Sequence, residues 1–146
     1  MKFLCMFLWK IISLIVISIT ETDSTDLSPS VSYVLVEDVM NWPNARDYCI
    51  SINGNLMEPR TQTEMDAAIA IYTQLGQGFY LGGSDILQEG QWIWSSDGSD
   101  IDMTRFWKSD QPSNGTLENY MVMCSVEGLC DAVGDRERPF ACTVVL

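Results

Sequence analysis

The chain contains no histidine. That removes the commonest general base, the Ser-His-Asp and Cys-His nucleophile systems, and the usual zinc ligand. Basic residues are scarce as well: 8 Lys and Arg stand against 20 Asp and Glu, for a formal net charge of −12. So acidic a surface repels nucleic acid and anionic membrane. It suits plain solubility, and it also favours cations, calcium above all. A carboxylate pair is still enough for glycosidase chemistry, but no two acids stand in a context that singles them out, so catalysis is not expected. A membrane-spanning run is missing too. The apolar stretch over residues 11–19 falls well short of the roughly 20 residues a spanning helix needs, and Lys10 sits inside any longer version.

What is present at the amino terminus has the layout of a secretory leader. Lys2 and Lys10 bracket a short positive region, the apolar run follows, and Ser18 and Thr20 are small enough for the −3 and −1 positions of a signal-peptidase site. The expected mature chain begins near Glu21. Residues 1–20 are then the signal peptide, 21–30 a short polar linker and 31–146 a single domain, as the length suggests. Loss of the two lysines leaves six basic residues against twenty acids, a mature charge of about −14. Cys5 leaves with the leader. Four cysteines remain, at 49, 124, 130 and 142, and in a secreted domain an even number suggests two disulfides with three possible pairings.

The rest of the chain divides into a helical first half and a strand-and-loop second half. Residues 31–36 are β-rich and alternate. Asn41 is placed to cap a helix that tolerates Pro43 in its first turn, with Ala45, Tyr48, Cys49 and Ile52 as an apolar stripe and Gly54 as the stop. Thr61 and Glu64 form a capping box for a second helix, with Met65, Ala68, Ile69 and Tyr72 on one face and Gly76 closing it. Short strands are expected at residues 79–81, 92–94, 121–124 and 140–144. Between the second and third of these lies a long irregular segment, residues 95–117, of the kind a compact domain carries when the loop is functional. The plan is α+β: two helices set apart from short antiparallel β-sheets and one long loop.

From residue 31 to 144 the chain resembles the C-type lectin domain family. Trp42-Pro-Asn-Ala45-Arg-Asp-Tyr48-Cys49 is similar to the family's W-x-x-A-x-x-Y-C, and Gly54-Asn-Leu56 with Glu64 to its G-x-L and following Glu. Tyr80-Leu-Gly82-Gly-Ser-Asp85 and Glu89-Gly90-Gln-Trp92-Ile-Trp94 match its W-I-G-x-x-D and E-G-x-W-x-W. Phe106-Trp107 precedes Gln111-Pro112-Ser113 as the family's tryptophan precedes its sugar-binding tripeptide. Pro139-Phe140-Ala-Cys142 matches the closing F-x-C. Most of these residues, Trp42, Trp92, Trp94 and Trp107 among them, are expected in the core.

The resemblance implies a secreted protein that binds glycans or glycoproteins. In the family a calcium ion on the long loop ligates sugar hydroxyls, held by the tripeptide's first and third residues, a later Glu and an Asn-Asp pair. Here the carbohydrate-binding positions are Gln111, Pro112, Ser113, Glu118 and Asp131, and the metal ligands are Gln111, Glu118 and Asp131. Counting on from Glu118 without a gap, Cys130 and Asp131 fall on the Asn-Asp pair; with one residue lost, Asp131 takes the Asn place and Ala132 the other. Ser113 and Cys130 weaken the set, and affinity follows ligand charge, so calcium is expected at about 10⁻⁴–10⁻³ M or not at all. The Gln-Pro start leans towards galactose-type sugars. The second expectation is a lectin-like domain that binds a protein or other surface without calcium.

By the same resemblance Cys49 and Cys142 form the family's long bridge. Its inner bridge falls on Tyr120 and Gly134, which lack thiols, while Cys124 and Cys130 have appeared between them; a local Cys124–Cys130 bridge is the economical reading. Asn114-Gly115-Thr116 is a glycosylation sequon inside the loop.

Overall fold

The computed structural model describes residues 15–17, 30–113 and 115–145. Ten elements are present among them. β1 (Ile15–Ile17) lies within the run read as a leader and pairs antiparallel with β2 (Val31–Met40); the rest of that run lies outside the described residues. β2 extends past residue 36 to Met40, with an irregularity between Val36 and Met40. It pairs on both edges and is covered on both faces, with Tyr33 and Leu35 buried in one core cluster and Val36 in the other.

α1 (Trp42–Ser51) begins where Asn41 Oδ1 accepts the Asn44 amide at 3.0 Å. Ala45 and Cys49 face inward, and Tyr48 meets Phe140 edge-on. The helix stops earlier than expected, and Gly54 is not its stop. The Ile52 amide folds back to the Cys49 carbonyl and Asn53 takes a left-handed φ of 58°. Gly54 instead opens β3 (Gly54–Leu56), where an added Cβ would stand 2.5 Å from the Thr143 carbonyl oxygen. It is a close-approach glycine.

α2 (Gln62–Leu75) has the full Thr61–Glu64 capping box and ends on Gly76 in the left-handed region, φ 70°. Its buried stripe is Met65, Ala67, Ala68 and Ile71, so the face is turned slightly from the expected one. Ile69 and Tyr72 pack at the margin of the core.

The remaining strands are β4 (Phe79–Ser84), β5 (Ile93–Trp94), β6 (Tyr120–Ser125), β7 (Gly128–Ala132) and β8 (Arg138–Val145). They join the others in one sheet of order β1-β2-β8-β4-β6-β7, with β3 on β8 and β5 on β4. The expected antiparallel pairings hold except one: β8 inserts between β2 and β4 and runs parallel to β4, with Tyr80 opposite Phe140. The sheet is therefore mixed. Three strands have no sequence forecast: β1 falls in the run read as a leader, β3 has only three residues, and Cys and Asp interrupt β7.

Two packed clusters hold the sheet. One, beside α2, contains Met57, Phe79, Leu81, Trp92 and Trp94. The other, beside α1, contains Trp42, Leu56, Tyr80 and Phe140. Trp42 Nε1 donates to the Leu81 carbonyl at 2.8 Å, which satisfies the one polar atom of a buried ring. Half-buried Trp107 packs edge-on to Trp92 at 4.9 Å. Two disulfides close the fold, Cys49–Cys142 and Cys124–Cys130.

Candidate functional site

The long segment after β5 stays irregular, and three attachments pin it to the sheet. Ser96 donates to Glu58 through its amide (2.9 Å) and hydroxyl (2.7 Å), and Arg60 bonds Glu58 and Asp97. The Ile101 amide donates to the Trp92 carbonyl at 2.9 Å. Further on, the Leu129 amide donates to Phe106 O and the Lys108 amide to Leu129 O, at 2.8 and 2.9 Å. Phe106 sits at φ 67°, unusual for a bulky residue. Its carbonyl approaches β7 only because Gly128 has no Cβ, which would lie 2.5 Å from it.

These attachments deliver residues 111–118 to the outer end of β7. The Gln111–Pro112 peptide is cis, and a turn follows in which the Glu118 amide donates to the Gly115 carbonyl at 2.7 Å. Asp131, on β7 opposite Met121, is buried. Its amide donates to Gln111 Oε1 at 3.3 Å. Its Oδ2 accepts the Ser113 amide at 2.8 Å and lies 3.1 Å from the Ser113 hydroxyl. That hydroxyl sits closer, at 2.6 Å, to Glu118 Oε2. A hydroxyl has one proton to give, so the shorter bond takes it.

Gln111, Ser113, Glu118 and Asp131 thus lie within hydrogen-bond contact of one another, with Pro112 between the first two. Cys130 is spent in a disulfide and supplies no oxygen. Asn114 lies outside the described residues. Among the described residues, no Lys or Arg pairs with Glu118 or Asp131. Asp131 Oδ1 is buried without a hydrogen-bond partner. Ser113 thus reaches both carboxylates, Glu118 through its hydroxyl and Asp131 through its amide, and one Asp131 oxygen is left without a partner. The donor set is all hard oxygen, the chemistry a calcium ion takes, although four side chains fall short of its six to eight ligands. Among the described residues no three carboxylates, cysteines or histidines cluster for a metal.

Asp85 was not singled out as a site residue by the sequence. It is buried, its Oδ2 accepts the Gly90 amide at 2.9 Å, and its Oδ1 has no partner. Its own amide donates at 3.2 Å to the carbonyl of Asn119, the residue after Glu118. The signal available in the sequence is an acid directly after the strand residues Leu81-Gly82-Gly83-Ser84.

The family profile for the Lectin C-type domain matches residues 38–143. The chain belongs to the C-type lectin domain family. This C-type lectin domain is 32% identical over 85 residues to ladderlectin of Oncorhynchus mykiss, covering 56% of this chain and 44% of that one. It is 28% identical over 108 residues to the galactose-specific lectin nattectin of Thalassophryne nattereri, covering 70% and 67%. The chain spans about half the length of the first curated relatives it matches. The carbohydrate-recognition domain of the mouse scavenger receptor C-type lectin superposes with a TM-score of 0.72 at 22% identity, over 84% of this C-type lectin domain and 91% of that chain. That likeness supports the fold. No helix among the described residues is long and apolar enough to cross a membrane.

Proposed function

We propose that this chain is a secreted carbohydrate-binding protein rather than an enzyme, taking a sugar at residues 111–118 and Asp131 with weak assistance from calcium. The observation that carries the reading is the convergence of Gln111, Ser113, Glu118 and Asp131 around an orphaned Asp131 oxygen that no Lys or Arg pairs with among the described residues. Gln111, Glu118 and Asp131 would hold the metal, which when bound supplies a hard Lewis-acidic centre for sugar hydroxyls. Ser113 holds the two carboxylates together, and Gln111 receives the Asp131 amide and so fixes the loop to β7. The partners are glycans or glycoproteins, with no nucleic acid and no membrane insertion. Galactose-type sugars are favoured by the Gln-Pro start and by the galactose specificity named for nattectin. Secretion follows from the leader read at residues 1–20, and Asn114 is the proposed glycan acceptor.

A second reading is a calcium-independent domain that binds a protein or other surface ligand. Ser113 favours it, because a hydroxyl stands where a charged or carboxamide ligand is expected and its one proton is already given to Glu118.

Calcium titration by calorimetry and a glycan array with and without chelator separate the two. The first reading expects calcium heat and chelator-sensitive binding, both abolished in Glu118→Ala, with calcium-free unfolding still cooperative and lowered by no more than about 1 kcal/mol, the contribution of the bond from Ser113. An unaltered protein that gives no calcium heat and no chelator-sensitive glycan binding overturns it in favour of the second.

A further inference from the structure

We propose that the Cys124–Cys130 disulfide is the positioning device for Asp131, and that a dithiol releases it while the rest of the fold stays closed. The inference rests on Asp131 belonging to the binding site proposed above. β7 is the last strand in the sheet order, so β6 is its one strand neighbour among the described elements. On its other edge Trp107 bridges to Leu129. The β6–β7 register is already irregular between Met123 and Ser125. A strand's side chains alternate with a period of two, so a slip by one residue turns each of them to the opposite face. Asp131 would then lose the Ser113 amide and hydroxyl, and its own amide would leave Gln111.

The bridge blocks that slip. Cys130 stands opposite Val122 and is tied diagonally to Cys124, one residue before Asp131. Beyond Asp131, Tyr120 and Gly134 offer no thiols, so among the described residues this is the sole disulfide between β6 and the segment carrying Asp131, which the chain itself joins only through the turn after Ser125.

The two disulfides differ in access and in what they close. Cys49 and Cys142 are wholly buried and close a separation of 93 residues. Cys124 and Cys130 are half-buried and close a separation of 6. Thiolate attack needs access to a sulfur, and loop-closure entropy grows with loop length, so the short bridge is the one reached first and the one the fold loses least without. In the reaction a thiolate of the dithiol attacks one bridge sulfur and the other leaves as a thiolate. The second dithiol sulfur then displaces the remaining cysteine and closes a cyclic disulfide. Two electrons pass to the bridge, and Cys124 and Cys130 end as protonated thiols.

The test treats the oxidised, folded protein with dithiothreitol without denaturant, alkylates it and maps the peptides. Label is expected on Cys124 and Cys130 and not on Cys49 or Cys142. Unfolding should remain cooperative while hydrogen exchange at the Asp131 amide speeds by roughly tenfold or more. Calcium-dependent glycan retention should fall by a comparable factor and return on reoxidation. The double variant Cys124→Ser, Cys130→Ser should reproduce the exchange and retention changes without reductant. Earlier labelling of Cys49 and Cys142, or unchanged exchange at Asp131 once the short bridge is open, overturns the proposal. If the oxidised protein retains no glycan, the lectin reading has failed, and exchange at Asp131 still decides this one.

Discussion

The ring of Tyr120 occupies the space that a side chain on Gly134 would need. It also packs on Trp42 with ring centres 4.7 Å apart, and the Trp42 amide donates to the Gly134 carbonyl at 3.0 Å. These are the two positions where the resemblance places the family's inner disulfide. In this chain an aromatic ring and a missing side chain fill the same volume without a covalent bond. Gly134→Ala is expected to destabilise by about 1–3 kcal/mol through overpacking. In a Tyr120→Ala background the same change should cost little, a coupling of about 1 kcal/mol or more. Denaturant unfolding of the four proteins in the cycle measures it, and additive costs would refute the pairing.

Ser113 should set the balance between calcium-free stability and calcium affinity. Ser113→Ala removes the hydroxyl between Glu118 and Asp131 and should lower calcium-free stability by about 1 kcal/mol. Ser113→Asp adds a third carboxylate. It should lower calcium-free stability further and tighten calcium by roughly tenfold, since affinity follows ligand charge. Melting with and without chelator, beside calorimetry, reads both arms.

Two glycines should fail for different reasons. Gly54→Ala drives a methyl against the Thr143 carbonyl of β8, an expected cost of about 1–3 kcal/mol with nowhere for backbone to yield. Gly76→Ala meets open space, and its cost of about 1 kcal/mol is the left-handed conformation alone. Gly76→Asn should recover part of that cost because asparagine tolerates the conformation, whereas no residue rescues position 54.

Asp97 should mark the acid limb of stability. The bond from Arg60 first, then the hydroxyl and amide of Ser99, hold its carboxyl well below the usual carboxylate range. A folded-state value lowered in this way gives stability that is present above the unfolded value, about 3.9, and fades as the pH falls below it. Asp97→Asn should therefore be less stable than the parent at neutral pH, and the difference should shrink steadily as the pH falls below about 3.9. Parallel stability–pH curves would show that the Arg60 contact contributes nothing.

Motif and period made both helices legible: the Thr61–Glu64 box, the Asn41 cap and the Ala45–Cys49 stripe each have a local cause, and each stands where expected. What escaped was set by contacts distant in sequence. Gly54 reads as a helix stop from its neighbours, yet its reason is Thr143, on the last strand. β7 hides because Cys130 and Asp131 interrupt its apolar pattern, and it exists through pairing with β6. Its placement brings Asp131 to Gln111 and Ser113, so the grouping of the site depends on a strand that the local pattern does not announce. Asp85 was visible as a motif residue, but its burial and its link to Asn119 depend on tertiary packing.

β8 lies between β2 and β4 although Arg138–Val145 comes last among the described elements. During synthesis β2 and β4 therefore wait with facing edges unfilled, and Cys49 waits without its partner, until β8 has left the ribosome. Contacts spanning such separations are slow to form and leave apolar edges open to wrong pairings meanwhile. For this molecule the hazardous interval is the one before β8 arrives, and yield in a cell should depend on how well that waiting half-sheet is shielded.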